Sequence, residues 1–495
     1  MKQINIILLT CFIALAAGCS KSELDVANPN QPDYKKVYKT GADLENLSSG
    51  LYTIVYDGEN AAAGMKNMLA TAADNVTCSW GNYGLRDMSF EPRDNSWDNS
   101  PTYSNAGLTE YTFNKMYAAI TTASLIYFAV DSGVNVEGAG GNEKVRAFTK
   151  FIQGVAYGNL SLLFDKAFLV DEKKTVEPSV TKAVGYLEVS KAAVAYLDTA
   201  IKYCATEFTI PAAWLGTADD YSNDDLKKLC NTLAARILSY VPRNKTDLAA
   251  VDWTKVQAYA AAGITSDFTI IMDGAVNWYD EAGDYLTSNG WGMTDMYTVN
   301  MMDPVTQPAH WDNSASFPRP PESTNPIDKR LKSDFEFVPS NWFNAGRGYY
   351  HFSTYRSKRY DDVYVNAIGP KPVILAAENV LLKAEAAAYK GALNDAATLI
   401  NTGTRVTRGQ MPVVAPDLAK LVEAIHHERF VELYTTGIGL QYFEMRKLDL
   451  LQKGTPLHLP LPAKVLQTFG EKPPYYTFGT VAKADGKNTS NGGWR

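Results

Sequence analysis

Six tryptophans fall in two stretches of this chain that are otherwise rich in Gly, Pro, Asn and Asp. Residues 75–108 carry Trp80 and Trp97, and residues 266–372 carry Trp278, Trp291, Trp311 and Trp342. Rings in such places suit the grip of a sugar. A sugar ring has an apolar face of C–H groups and an equator of hydroxyls. An indole or phenol offers that face a flat, polarised surface, while Asn, Asp and Arg reach the hydroxyls. Stacking a base on an aromatic is worth about 1–3 kcal/mol, and a sugar ring gains no more. Two or three platforms with a few hydrogen bonds predict affinities of about micromolar to millimolar, which suits a receptor that hands its cargo on. The candidate contacts are Trp80, Asn82, Tyr83, Trp97 and Asn99 from the first stretch, and Trp278, Trp291 and Trp311 from the second. Any one of these can instead anchor its loop; as a group they are expected to line a site. Trp214 and Trp253 border helical patterns and are expected in the core.

Catalytic chemistry finds less support. The chain has no G-x-S-x-G, P-loop or dinucleotide fingerprint. His426-His427-Glu428 lies in a helical pattern but lacks the H-E-x-x-H spacing of a zinc site. Arg429 and Glu432, at i and i+3, are expected to form an intrahelical pair that holds the scaffold. Asp280, Asp284 and Asp361 are calcium-ligand types whose spacing fails the EF-hand pattern. The loop-rich stretches supply Asp and Glu that could pair for glycoside hydrolysis, but no motif singles out a pair; a surface glycoside hydrolase stands as the alternative reading. No catalytic residue, metal or cofactor is expected.

The N-terminus says where these residues are displayed. Lys2 precedes an apolar run from Ile4 to Ala17, followed by Gly18 and Cys19. A charged start, a greasy middle and small residues at the cut make residues 1–18 a secretory signal, too short for a membrane span, which needs about 20 apolar residues. Leu15-Ala16-Ala17-Gly18-Cys19 resembles a bacterial lipobox, so Cys19 is expected to be lipidated and residues 19–36 to form a polar tether. The whole chain carries 47 basic and 54 acidic residues, a net charge of −7. Removing the signal takes Lys2 and leaves −8. That balance argues against nucleic acid, which calls for a basic face. Of five cysteines, Cys78, Cys204 and Cys230 remain in the mature fold. None has metal-ligand spacing, and Cys204 and Cys230 read as small buried apolar residues.

Helical periodicity must supply the frame. Patterns occur at about 41–56, 109–132, 142–166, 182–204, 223–241, 253–263, 373–390, 394–407 and 417–435. Residues 378–404 combine Ala384, Ala386, Ala387 and Ala388 with a stop at Gly391 and a second run carrying Ala396, Ala397 and Ile400. Small residues let paired helices approach closely. Strand alternation is sparse. The expected fold is mainly α: a tetratricopeptide-like superhelix of helix pairs over 37–265 and 373–450. The aromatic stretches 75–108 and 266–372 form a loop-rich ligand-binding region on it, and 451–495 is a C-terminal loop segment. The aromatic content of those loops argues for order, because disordered segments are poor in such residues.

Several local sequences resemble the SusD/RagB family of nutrient-binding outer-membrane lipoproteins. They are the lipobox at Cys19, Thr40-Gly41-Ala42-Asp43-Leu44 leading to Ser49-Gly50-Leu51-Tyr52, and Lys144-Val145-Arg146-Ala147 running into Gly154-Val155-Ala156-Tyr157. Glu378 to Gly391 with Ile400-Asn401 and Arg405, Ile425 to Leu433, Phe443-Glu444-Met445-Arg446 and Leu459-Pro460-Leu461-Pro462 complete the set. The chain departs from the family at Thr435-Thr436-Gly437-Ile438-Gly439 and at Ala463-Lys464-Val465-Leu466, which places it in a divergent branch. The resemblance implies a non-catalytic protein of the outer membrane, lipid-anchored and facing the cell exterior. It implies a glycan ligand, or a peptide in some members, and a SusC-like TonB-dependent outer-membrane transporter as partner.

Overall fold

The computed structural model describes residues 38–78, 81–89, 97–173, 182–310, 319–340, 352–473, 475 and 489–495. The signal, the tether and Cys19 lie outside these residues, as do Trp80, Trp311 and Trp342.

Helices carry the architecture. The first opens on a capping box, in which the Asp43 N–H donates to Thr40 Oγ1 at 3.2 Å and the Thr40 N–H donates to Asp43 Oδ2 at 3.1 Å. The single helix expected over 41–56 is two, α1 (Gly41–Ser49) and α2 (Leu51–Asn60), because Gly50 interrupts it. A three-residue strand, β1 (Val76–Cys78), opens the first aromatic stretch. Then come the long helices α3 (Ala106–Asp131), α4 (Gly141–Leu163), α5 (Tyr186–Tyr203), α6 (Asn223–Tyr240) and α7 (Trp253–Ala261). The second aromatic stretch holds β2 (Phe268–Asp273), α8 (Glu281–Thr287), β3 (Gly292–Thr294) and β4 (Ile368–Ile374). The C-terminal block is α9 (Ala376–Tyr389), α10 (Leu393–Thr402), α11 (Leu418–Val431) and α12 (Leu440–Lys447).

Each of these helices packs on its neighbours in a continuous series: α2 on α3, α3 on α4, α4 on α5, α5 on α6, α6 on α7, α7 on α9, α9 on α10 and α11. This is the superhelix of helix pairs that the periodicity predicts. Close approach depends on missing side chains. A Cβ on Gly154 would stand 2.6 Å from Leu197 of α5, and one on Gly158 would stand 2.7 Å from Ile237 of α6. The alanines of α9 serve the same end: Ala384, Ala386, Ala387 and Ala388 are all buried, and Gly391 ends the element with φ +81°. The run expected over 394–407 breaks at Gly403, and β4 occupies residues that a helix from 373 would have used. Trp214 and Trp253 are core residues, and Cys204 and Cys230 are buried free thiols. Among the described residues no helix is long and apolar enough to cross a membrane.

The core also contains charge. On α11 the Arg429 guanidinium, fully buried, donates to Glu385 of α9 (2.9 and 2.7 Å) and to Glu444 of α12 (2.5 Å). Lys447 reaches Glu385 at 2.5 Å and Glu444 at 3.1 Å. Two cations and two anions thus close a neutral quartet that staples three helices. This corrects the expected Arg429–Glu432 pair. A helical residue points its side chain toward a neighbouring element when partners there are better placed, and Glu432 instead binds Arg330, Arg359 and Arg408.

Candidate ligand-binding surface

The two aromatic stretches meet through backbone. β1 pairs antiparallel with β3, in the register Val76↔Thr294, Thr77↔Met293 and Cys78↔Gly292. The Asp295 N–H extends the contact to the Asn75 carbonyl at 3.0 Å. Val76 and Met293 are buried, so the ladder rests on the core and hands each loop a fixed start.

Rings gather beside this ladder. Tyr83 meets Tyr285 of α8 edge to face, with centroids 5.1 Å apart and planes at 87°. Tyr285 in turn meets Trp291 at 5.6 Å and 47°. Tyr83 and Tyr285 are half-buried, their inner edges on a cluster that includes Val76, Leu85 and Leu286. Trp291 is 41% exposed, the largest open aromatic surface among the described residues of the second stretch. Tyr83 has φ +53°, sparsely populated for a residue with a side chain, between Gly81 and Gly84, which also have positive φ. Strain of this kind persists where surroundings over-determine it, and the turn aims the Tyr83 ring at Tyr285.

Polar groups frame the series. Asn82 is exposed in the same turn, and Arg86 lies 3.8 Å from Asp87. Asp87 accepts from Tyr103 at 2.5 Å and Asn105 at 2.9 Å. Burial and that carboxylate push the Tyr103 phenol well above its ordinary range. Arg356 donates to the Thr287 carbonyl at the end of α8 and is held by Asp361 at 2.6 Å and Glu336 at 2.6 Å. On α8, burial raises the pKa of Asp284, whose Oδ2 accepts from Tyr279 at 2.6 Å.

Three expected contacts face inward, correcting their reading as open platforms. Trp97 is 3% exposed; its indole packs on Tyr103 at 5.0 Å and 77°, and lies under Gly84. It is the prop beneath the turn that carries Tyr83. Asn99 is buried and donates to the Leu461 carbonyl at 2.9 Å, tying the loop to the C-terminal segment. Trp278 is 7% exposed, boxed by Tyr52 and Tyr56 at 6.1 and 5.3 Å, with Gly216 so near its face that a Cβ would come within 2.6 Å. It lines an open groove of about 560 Å³ together with Thr53, Asp57, Lys115 and Asn277. Burial wins for the two tryptophans because an indole in a long loop stabilises more by leaving water than by waiting for a ligand, and Asn99 is turned inward by its bond to Leu461.

Of the predicted contacts, Tyr83 and Trp291 are therefore brought into one series, with Asn82 beside them; Trp80 and Trp311 fall outside the described residues. Sequence reasoning missed Tyr285, the ring between them. Its signal was available: a tyrosine six residues before Trp291 in the same aromatic-rich stretch.

A metal reading of the His426-His427 region fares no better here. Asp328, His427 and Glu428 bring ligand atoms within 4.8 Å of one another. Arg330 already donates to both carboxylates at 2.6 to 3.2 Å, so a cation there would have to face a guanidinium.

No family model and no curated protein matches the sequence. Solved structures do. A SusD superfamily protein from Parabacteroides distasonis aligns with a TM-score of 0.59 at 13% identity, over 88% of this chain and 98% of that one. A SusD-like carbohydrate binding protein from Bacteroides fragilis aligns at 0.56 and 15% identity, over 83% of this chain and 86% of that one. A SusD superfamily protein from Bacteroides vulgatus aligns at 0.57 and 12% identity, over 82% and 88%. With the helical series and these alignments in agreement, the chain has the fold of the SusD superfamily.

Proposed function

We propose that this protein binds a nutrient glycan at the cell surface without transforming it, and delivers it to a SusC-like TonB-dependent outer-membrane transporter. The observation that carries the reading is the ring series Tyr83–Tyr285–Trp291, half open to solvent where two loops join. Offset and tilted rings present faces at successive angles, which suits an oligosaccharide whose residues turn along the chain. The solved structure from Bacteroides fragilis described as carbohydrate binding supports the same class of ligand. The outer-membrane location and lipid anchor rest on the lipobox at Cys19, and the transporter rests on the family resemblance.

Affinity electrophoresis of the mature protein through gels containing a panel of polysaccharides tests the ligand class. Retardation by at least one glycan, lost in Trp291→Ala, is the expected result. Retardation by none, or binding of peptides alone, overturns the glycan reading. Release of reducing ends from a retarding glycan by the purified protein would replace it with the hydrolase. Purification from detergent-solubilised membranes should co-recover a large barrel protein, and its absence overturns the transporter partnership.

A further inference from the structure

A cavity of about 400 Å³ lies where the first turns of α9, the end of α10, the helical turn Thr404–Thr407 and the inner face of α11 converge. Part of its lining is apolar: Leu375, Val380, Leu381, Leu399 and Ile400. The remainder is charged and almost wholly satisfied. Glu428 accepts from Arg330 through both oxygens, at 2.6 and 2.8 Å, and from Thr404 Oγ1 at 2.8 Å. Glu432 accepts from Arg330, Arg359 and Arg408 at 2.6 to 3.0 Å. The other terminal nitrogen of Arg408 serves Asp334, at 2.8 and 2.9 Å. Asp267 caps α9 by accepting from the Ala376 N–H at 2.7 Å.

Arg405 is the exception. Its Nε donates to the Pro412 carbonyl at 3.4 Å, and among the described residues its terminal nitrogens have no carboxylate within ion-pair reach. Burial lowers the pKa of this guanidinium. A half-buried cation with an unpaired fork, on a chamber whose other charges are matched, asks for an acceptor of matching shape. A carboxylate meets such a fork through two parallel N–H···O bonds. One positive charge offsets one negative charge. A dianion would bring a second, unbalanced charge toward Glu428 and Glu432 across a short, poorly screened path.

We propose that this cavity is a ligand site separate from the aromatic surface, taking a compact organic monocarboxylate whose charge seats on the Arg405 fork and whose carbon skeleton lies against Leu375, Val380 and Leu399. The volume falls in the lower range of small-molecule pockets, about 300–1,000 Å³, so a hexuronate or a small arylalkanoate fits. Titration calorimetry on the mature protein with glucuronate, 3-phenylpropionate, inorganic phosphate and glucose tests it. At least one carboxylate should saturate at about millimolar or tighter, phosphate and glucose should not compete with it, and Arg405→Gln should weaken it at least tenfold. Val380→Phe, which fills the chamber from its apolar wall and leaves every ion pair intact, should weaken it as much, so the proposal stands or falls even if Arg405→Gln does not fold. Polysaccharide retardation should be unchanged in both variants. No binding by either carboxylate, equal binding by phosphate, or binding indifferent to Val380→Phe overturns the site.

Discussion

Replacing Arg429 by Met removes the hub of the buried quartet while keeping most of the side chain's volume. The quartet is neutral: Arg429 and Lys447 against Glu385 and Glu444, none of them more than 3% exposed. The variant leaves two carboxylates facing one ammonium among side chains at most 3% exposed. Breaking one partner from such a cluster costs about 3–5 kcal/mol. Unfolding entropy of about 2.1 cal/mol/K per residue, over a chain of 495 residues, makes the slope about 1 kcal/mol per degree. The melting temperature at pH 7.5 should therefore fall by about 3–5 °C. The pH dependence is the sharper test. In the native protein Arg429 and Lys447 overcome desolvation and hold both carboxyls below their ordinary range, so their contribution is present above the unfolded pKa and constant between pH 5 and 7.5. In the variant one carboxyl is raised above its unfolded value, so the folded state binds the extra proton and gains stability as pH falls. Once that carboxyl has bound its proton, the gap between the proteins should narrow by about 1.4 kcal/mol per pH unit, down to the unfolded glutamate value of about 4.3. Thermal melts of both proteins across pH 5–7.5 measure this. A gap that stays constant or widens on acidification refutes the reasoning, as does a loss below about 1 kcal/mol at pH 7.5. Arg429→Met with Glu444→Gln should recover at least half of the loss, because Glu385 and Lys447 are then paired one to one.

Trp291→Ala should weaken a retarding polysaccharide by about 5- to 150-fold, equivalent to about 1–3 kcal/mol of stacking, with an unchanged melting temperature, since the ring is 41% exposed; binding titrations and melts read both. Trp97→Ala should behave oppositely, losing about 3–5 kcal/mol of stability in thermal or urea unfolding because a 3%-exposed indole is removed from under the Tyr83 turn. Lys371, buried against Asp280 at 3.4 Å and beside Lys66, has its pKa lowered to about 8, chiefly by burial. Below that value the unfolded and folded lysines are both charged; between 8 and the ordinary lysine value near 10.4 the unfolded chain binds more proton, so stability rises with pH. Comparative unfolding at pH 7 and 9.5 should show the native protein gaining on Lys371→Met, and no relative gain would rule out the lowered value.

The helical frame was legible because period and small residues act locally: the alanines of α9, the stop at Gly391 and the paired run carrying Ile400 appear as read. Breaks were harder to see. Gly50 and Gly403 interrupt runs whose apolar spacing continues through them, and β4 takes residues whose pattern also suits a helix. At the site, ring type alone does not distinguish a platform from a prop. Trp97 and Trp291 sit in similar sequences, yet one is buried by the Tyr83 turn above it and the other is left outside the core by the chain's return through β3. Arg429 likewise has Glu432 one turn away and still chooses Glu385 and Glu444, because Glu432, itself buried, is already taken by Arg330, Arg359 and Arg408.

The three rungs that join residues 76–78 to 292–294 tie the ring series to the order in which the chain is made. Segments more than two hundred positions apart close slowly and only after both exist. A growing polypeptide that has not yet reached residue 285 can hold Tyr83 but neither Tyr285 nor Trp291, nor the strand that pairs with 76–78, so this corner of the molecule takes shape late.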